Sequence, residues 1–185
     1  MPVVQVTLIE GYDDDARARL CAVLADAVRM VLPASAEAIT VALHEVAPAA
    51  YSRGGPRTPA PALPDAVQLV RTFLERMEAR DLASAQAMLA GGFEMTFPGG
   101  VRMTRLGELV DWAKGRYRFV RKTYERFDVA PGAEGPTVYC FGTLAGEWLD
   151  GSAFEGIRFI DRFETAGGRL ARQHVWNDMG ERRNG

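Results

Sequence analysis

Cysteine and histidine are nearly missing from this chain, with two of each among 185 residues. Cys21, Cys140, His44 and His174 stand singly, without the spacing that gathers metal ligands, so no metal site is expected. The two cysteines lie in apolar runs far apart in sequence. Buried free thiols are therefore expected rather than a disulfide, as suits a reducing compartment. The formal net charge is only -2 and no basic block occurs, which argues against nucleic acid or an anionic membrane as partner. No apolar run is long enough to span a bilayer, and no basic segment followed by an apolar one opens the chain. Cytoplasmic residence is the expectation. Neither a glycine-rich nucleotide loop nor a nucleophilic serine elbow is present, since Gly99-Gly100 and Gly167-Gly168 read as turns. No cofactor is expected.

What is present is an ordinary globular composition, 48% hydrophobic and 25% charged, sufficient for one or two small domains. Val3 to Ile9 is β-branched and apolar, interleaved with Gln5 and Thr7, and predicts a strand. Asp13, Asp14 and Asp15 follow Gly11 and suit a helix N-terminus. Leu20, Leu24, Ala27, Val28 and Val31 give that helix one apolar face, and Pro33 ends it. Ile39 to Val46 predicts a second strand. The result is a β-α-β unit with parallel strands and a right-handed crossover. Some fifty-five residues make a small core for independent stability, so self-association into a homo-oligomer is expected.

Between Gly54 and Pro64 stand four prolines and two glycines, which no helix or inner strand tolerates. The expected organisation is a first domain over 1–55, a linker over 56–64 and a second domain over 65–185. Asp65 is a candidate N-cap for a helix whose inner face carries Ala66, Val70, Phe73 and Met77. A shorter helix is predicted over Asp81–Leu89, a half-buried strand over Phe93–Phe97 and a helix over Arg105–Phe119. Long strands follow at Arg121–Val129, Thr137–Leu149, Ser152–Glu164 and Arg169–Asp178. Turns at Asp150-Gly151 and Gly167-Gly168 join the last three. Helices first and an antiparallel meander afterwards define an α+β class.

The residue with the most chemical promise is Pro2. If Met1 is removed, Pro2 becomes a secondary amine at the start of a strand. An α-amino group titrates at about 7.7–8.0, and an apolar surround lowers that value, which makes such a nitrogen a competent base at neutral pH. With Met1 retained the same atom is an amide and has no such chemistry.

Both halves resemble known families. Residues 2–55, from PVVQVTLIEG through VALHEV to YSRGG, resemble the 4-oxalocrotonate tautomerase family. That resemblance implies a catalytic Pro2 and assembly of small β-α-β subunits. It places Tyr51 as an aromatic wall of the pocket that helps depress the proline pKa. The family's substrate-gripping arginines fall on Tyr12 and Thr40, so its usual dicarboxylate-like acids are disfavoured, and Arg53 is a partial replacement. His44 is expected to be structural.

Residues 65–181 resemble the nuclear transport factor 2-like superfamily, which includes the SnoaL-like polyketide cyclases. This implies a cone of helices inside a curved antiparallel sheet, around an apolar pocket. Alternation places Leu170, Arg172, His174, Trp176 and Asp178 on one face, and Glu155, Ile157, Phe159 and Asp161 on another. The resemblance turns both sets toward the pocket. A His174–Asp161 pair would then serve as acid and base. Phe97, Trp112, Tyr117, Phe159, Arg172 and Trp176 are the candidate pocket contacts. Ketosteroid isomerase chemistry is disfavoured, because its functional positions fall on Phe97, Phe73 and near Phe159.

The leading expectation is a cofactor-independent isomerase or tautomerase acting on a small ketone or polyketide-like molecule. Two alternatives stand beside it. In one, the cone domain acts alone as a cyclase, isomerase or hydrolase and the first half is an oligomerisation module. In the other, the chain is a non-enzymatic ligand-binding or scaffold protein.

Overall fold

The computed structural model describes residues 1–55 and 57–184. Pro56, the first residue of the expected linker, and Gly185 lie outside the described residues. The chain divides into two compact units, Met1–Ala62 and Leu63–Gly185.

The first unit is a β-α-β element. Strands β1 (Val3–Ile9) and β2 (Thr40–Val46) pair in parallel, with Val3 opposite Thr40 and Ile9 opposite Val46. Helix α1 (Asp14–Arg29) joins them, and the Asp13 side chain accepts from the Ala16 amide at its N-terminus (2.8 Å). Arg17 pairs with Glu45 of β2 at 2.6 Å. The helix is shorter than the apolar pattern suggests. Val31 lies beyond its end and is 81% exposed, while Leu20, Leu24 and Val28 are half-buried. Among the described residues of this unit none is fully buried. A two-stranded sheet covered by one helix cannot enclose a core, which is the physical case for association.

The second unit packs its helices against a six-stranded sheet. Helices α2 (Ala66–Glu78), α3 (Leu82–Ala87) and α4 (Leu106–Lys114) are followed by a terminal α5 (Met179–Asn184). Asp65 caps α2 by accepting from the Gln68 amide (2.8 Å). The strands are β3 (Leu89–Phe97), β4 (Val101–Met103), β5 (Tyr117–Ala130), β6 (Thr137–Trp148), β7 (Ala153–Ala166) and β8 (Arg169–Asn177), in the order β4-β3-β8-β7-β6-β5. Val70, Phe73 and Leu74 of α2 share one core with Met95, Val138, Ile157, Phe159, Phe163 and Leu170 of the sheet. Register shifts occur in four of the strand pairings, and such bulges bend a sheet around what it encloses.

Four expectations change. The meander covers β5 to β8, but β3 runs parallel to β8, so the sheet is mixed. The predicted helix over 105–119 stops at Lys114. Gly115 follows it, and the aromatic and β-branched run from Tyr117 is strand. Tyr117 and Phe119 therefore sit on β5, although Tyr117, four residues after Ala113, continues the helical pattern. The three-residue β4 and the six-residue α5 carry too little pattern to be read from sequence. Cys140 is buried as expected, but Cys21 is only half-buried, and both are free thiols.

Candidate active site

In the first unit, the backbone places Pro2 at the head of β1. Its carbonyl accepts from the Thr40 amide (3.0 Å), which locks it beside the start of β2. Of the residues expected around the proline, Thr40 is the one brought next to it within a single chain. Tyr12 follows Gly11 beyond the other end of β1, and seven strand residues span about 23 Å. Tyr51 and Arg53 follow the C-terminal end of β2, with the Arg53 amide bonded to the Gly55 carbonyl (3.2 Å). Parallel pairing separates the two sets, so bringing Tyr12 to Pro2 requires a second copy of the chain. His44 lies opposite Thr7 and is exposed, not enclosed as a structural histidine.

The second unit contains a cavity of about 160 Å³. Phe73, Leu74 and Met77 of α2, Phe97 of β3, Leu109 and Ala113 of α4, and Tyr117 and Val120 of β5 make it largely apolar. Two exposed residues, Glu78 and Arg80, also border it, and Arg80 adopts a left-handed backbone (φ 60°) in the turn after α2. Its polar lining comes from Lys122 and Tyr124 of β5 and Gln173 of β8.

Lys122 and Gln173 converge on Asp161 of β7, which is wholly buried. The Lys122 ammonium donates to Asp161 Oδ2, and Gln173 Nε2 donates to the same oxygen (3.4 Å). Lys122 also lies over the Phe159 ring, 4.5 Å from its centre. Asp161 Oδ1 and Gln173 Oε1 are buried and accept from no donor among the described residues. Burial pushes the Tyr124 phenol well above its ordinary range, with the Asp161 charge adding to the effect. Burial first, then Asp161, raises the Cys140 thiol to about 12. Burial raises Tyr117 as well, so both phenols are neutral donors at physiological pH.

The expected His174–Asp161 pair does not form. Asp161 lies opposite Val175 and His174 opposite Arg162. The cause is a one-residue irregularity. Glu164 pairs with Arg172 and Thr165 with Leu170, so Ala171 is left over and the alternation reverses. Leu170, Gln173 and Val175 therefore face the core, while Arg172 and Trp176 are exposed. Arg172 bonds to Glu164 at 3.0 Å, and Trp176 is 53% exposed and stacks on His174 at 5.7 Å. None of the three lines the cavity. Glu155 also leaves its expected face, because Gly156 (φ 68°) breaks the alternation of β7. Phe97 and Tyr117 do line the cavity, and Trp112 packs edge-on against Phe97 at 5.3 Å. Phe159 is buried beneath Lys122. Lys122, Tyr124 and Gln173 are the polar residues that sequence reasoning missed. For the first two a signal existed, since Val120, Lys122 and Tyr124 alternate with Arg121, Thr123 and Glu125.

Comparison with known proteins agrees with this division. Residues 2–58 match the family described as Tautomerase enzyme. The remainder has the NTF2-like fold. An NTF2-like protein of unknown function from Burkholderia pseudomallei superposes with a TM-score of 0.54 at 20% identity, over 64% of this chain and 94% of that one. TerC, crystallised with polyporic acid, does so with a TM-score of 0.54 at 15% identity, over 64% of this chain and 95% of that one. The comparison with curated proteins returned no match. The chain thus joins a segment that matches the tautomerase family over residues 2–58 to a unit with the NTF2-like fold.

Proposed function

We propose that the protein is a cofactor-independent isomerase of the tautomerase type, moving a proton on a small ketone or enol. The Pro2 nitrogen, freed by removal of Met1, is the base. The observation that carries this reading is the position of Pro2, at the head of β1 in a domain that matches the tautomerase family over residues 2–58. A secondary amine held there takes a proton from a carbon next to a carbonyl and returns it to the other end of the conjugated system. Tyr12 and Thr40 carry no charge, so this site favours a less anionic substrate than a dicarboxylate. The NTF2-like cavity binds or processes the ketone, enol or polyketide-like intermediate. Intact mass establishes whether Met1 is removed. Ketonisation of phenylenolpyruvate, followed for wild type and Pro2→Ala, is expected to fall at least about 100-fold in the variant, the scale of a lost general base. An unchanged rate refutes the role.

A second reading has its own observation. Because no described residue of the first unit is fully buried, that unit is suited to assembly, and the cone alone could carry the chemistry. An active Pro2→Ala protein with an intact homo-oligomer supports this alternative.

A further inference from the structure

The polar end of the NTF2-like cavity is short of donors. Asp161 and Gln173 are 0% and 3% exposed, and the two side-chain atoms there that lack a protein partner, Asp161 Oδ1 and Gln173 Oε1, are both acceptors. The Gln173 amide cannot be turned to exchange its ends. Its nitrogen must face Asp161 Oδ2, because an amide oxygen there would meet a carboxylate, so Oε1 is held as an acceptor. Lys122 supplies the complementary group. Its ammonium has three protons, and Asp161 Oδ2 takes one. Lys122 and Gln173 both line the cavity and both bond to that one oxygen, so their heads lie no farther apart than two hydrogen bonds in series. That bound applies to the Gln173 nitrogen, and Oε1 is the other end of the same amide group.

We propose that Lys122 and Gln173 form a hydroxyl-binding site that selects an enol or phenol over the matching ketone. The ligand hydroxyl accepts from the Lys122 ammonium and donates to Gln173 Oε1, while its flat apolar body lies among Phe73, Phe97 and Tyr117. A ketone satisfies Lys122 but has no proton for Gln173, and leaves that buried acceptor unpaired. Asp161 is a positioning residue, which holds both partners and balances the lysine charge. A cavity of about 160 Å³, well below the usual pocket range of about 300–1,000 Å³, limits the body to one or two rings. This assignment deepens the reading of the cone as a binding pocket for a ketone or enol, and it is independent of the chemistry at Pro2.

The test uses the full chain and three probes of similar shape: 2-naphthol, 2-methoxynaphthalene and 2-methylnaphthalene, titrated calorimetrically. An unpaired buried acceptor weakens binding about tenfold. Wild type is therefore expected to bind 2-naphthol at least about tenfold more tightly than the methoxy compound, which accepts but cannot donate. Gln173→Leu leaves the Lys122–Asp161 pair in place and should bring that ratio to near one. Lys122→Met/Asp161→Asn, which removes both charges together, should weaken 2-naphthol about tenfold through the lost bond from Lys122, while the bond it donates to Gln173 keeps it ahead of 2-methylnaphthalene. Pro2→Ala should change neither ratio. The proposal is overturned if wild type fails to bind 2-naphthol, binds all three alike, or keeps its preference in Gln173→Leu. Phenylenolpyruvate turnover reports on Pro2 separately, so a failure there is distinguishable from a failure here.

Discussion

Replacing Lys122 by methionine tests whether the cavity's charge pair also holds the second domain together. The substitution keeps the length and apolar stem of the side chain and deletes only the ammonium. Asp161 is 0% exposed, and Lys122 is its one cationic partner among the described contacts, with 22% of its own side chain exposed. Without the lysine, the carboxylate keeps only the long bond from Gln173 at 3.4 Å. Stranding one member of a buried pair costs about 3–5 kcal/mol, against a total stability of about 5–15 kcal/mol for a domain. The melting temperature should then fall by roughly 10–20 °C, taking about 4 °C per kcal/mol for this size. Trp112, Trp148 and Trp176, all the tryptophans of the chain, belong to the second unit, so their fluorescence in urea reads that unit alone. The midpoint should drop by about 2 M at constant slope. Adding Asp161→Asn removes the stranded charge while keeping an acceptor for Gln173, and should recover at least half of the loss. The reasoning is refuted if Lys122→Met lies within about 1 kcal/mol of wild type, or if the double variant is no more stable than the single one.

Further outcomes follow from packing, ionisation and assembly. Gly142 of β6 has no room for a side chain, since an added Cβ would lie 1.9 Å from the Thr123 carbonyl of β5 and 3.0 Å from the Phe159 ring. Gly142→Ala should therefore cost about 3 kcal/mol or more in urea unfolding. Gly156→Ala, which meets nothing within 4 Å but must hold a φ of 68°, should cost about 1–2 kcal/mol. Native protein should react at one thiol, Cys21, with a thiol-specific dye at pH 8, and at two in urea, because Cys140 is buried with its pKa near 12. The same shift sets a pH dependence. From about pH 9, the ordinary thiol value, the unfolded chain gives up a proton that folded Cys140 keeps, so its contribution to stability should decline up to about pH 12. A Cys140→Ala variant should show less of that decline. Light scattering of the full chain should report more than one copy per particle, and a monomer at micromolar concentration would contradict the case for association built on the uncovered first unit.

Local pattern was enough for much of the fold. The β-α-β unit was legible because its strands alternate, its helix opens on three aspartates, and its motif residues lie within a few positions of one another. The glycine turns at 151 and 167–168 marked the hairpins of the second domain, and Asp65 marked the start of its first helix. The residues of the cavity's polar end were not legible in the same way. Asp161 is legible as a pocket residue, but its partners Gln173 and Lys122 are not. Strict period-two counting along β8 put His174 beside it. The additional residue at Ala171 reverses the faces, turning half-buried His174 away from Asp161 and Gln173 toward it. Lys122 lies 39 positions from Asp161 and meets it only across the curved sheet. Sequence by itself determined which segments become helix and strand, and which residue could offer a free secondary amine, because those properties depend on near neighbours and on covalent chemistry. Which side of a strand faces the core, and which charges meet there, was decided only by the tertiary structure, because bulges and strand register are settled by packing between segments distant in the chain.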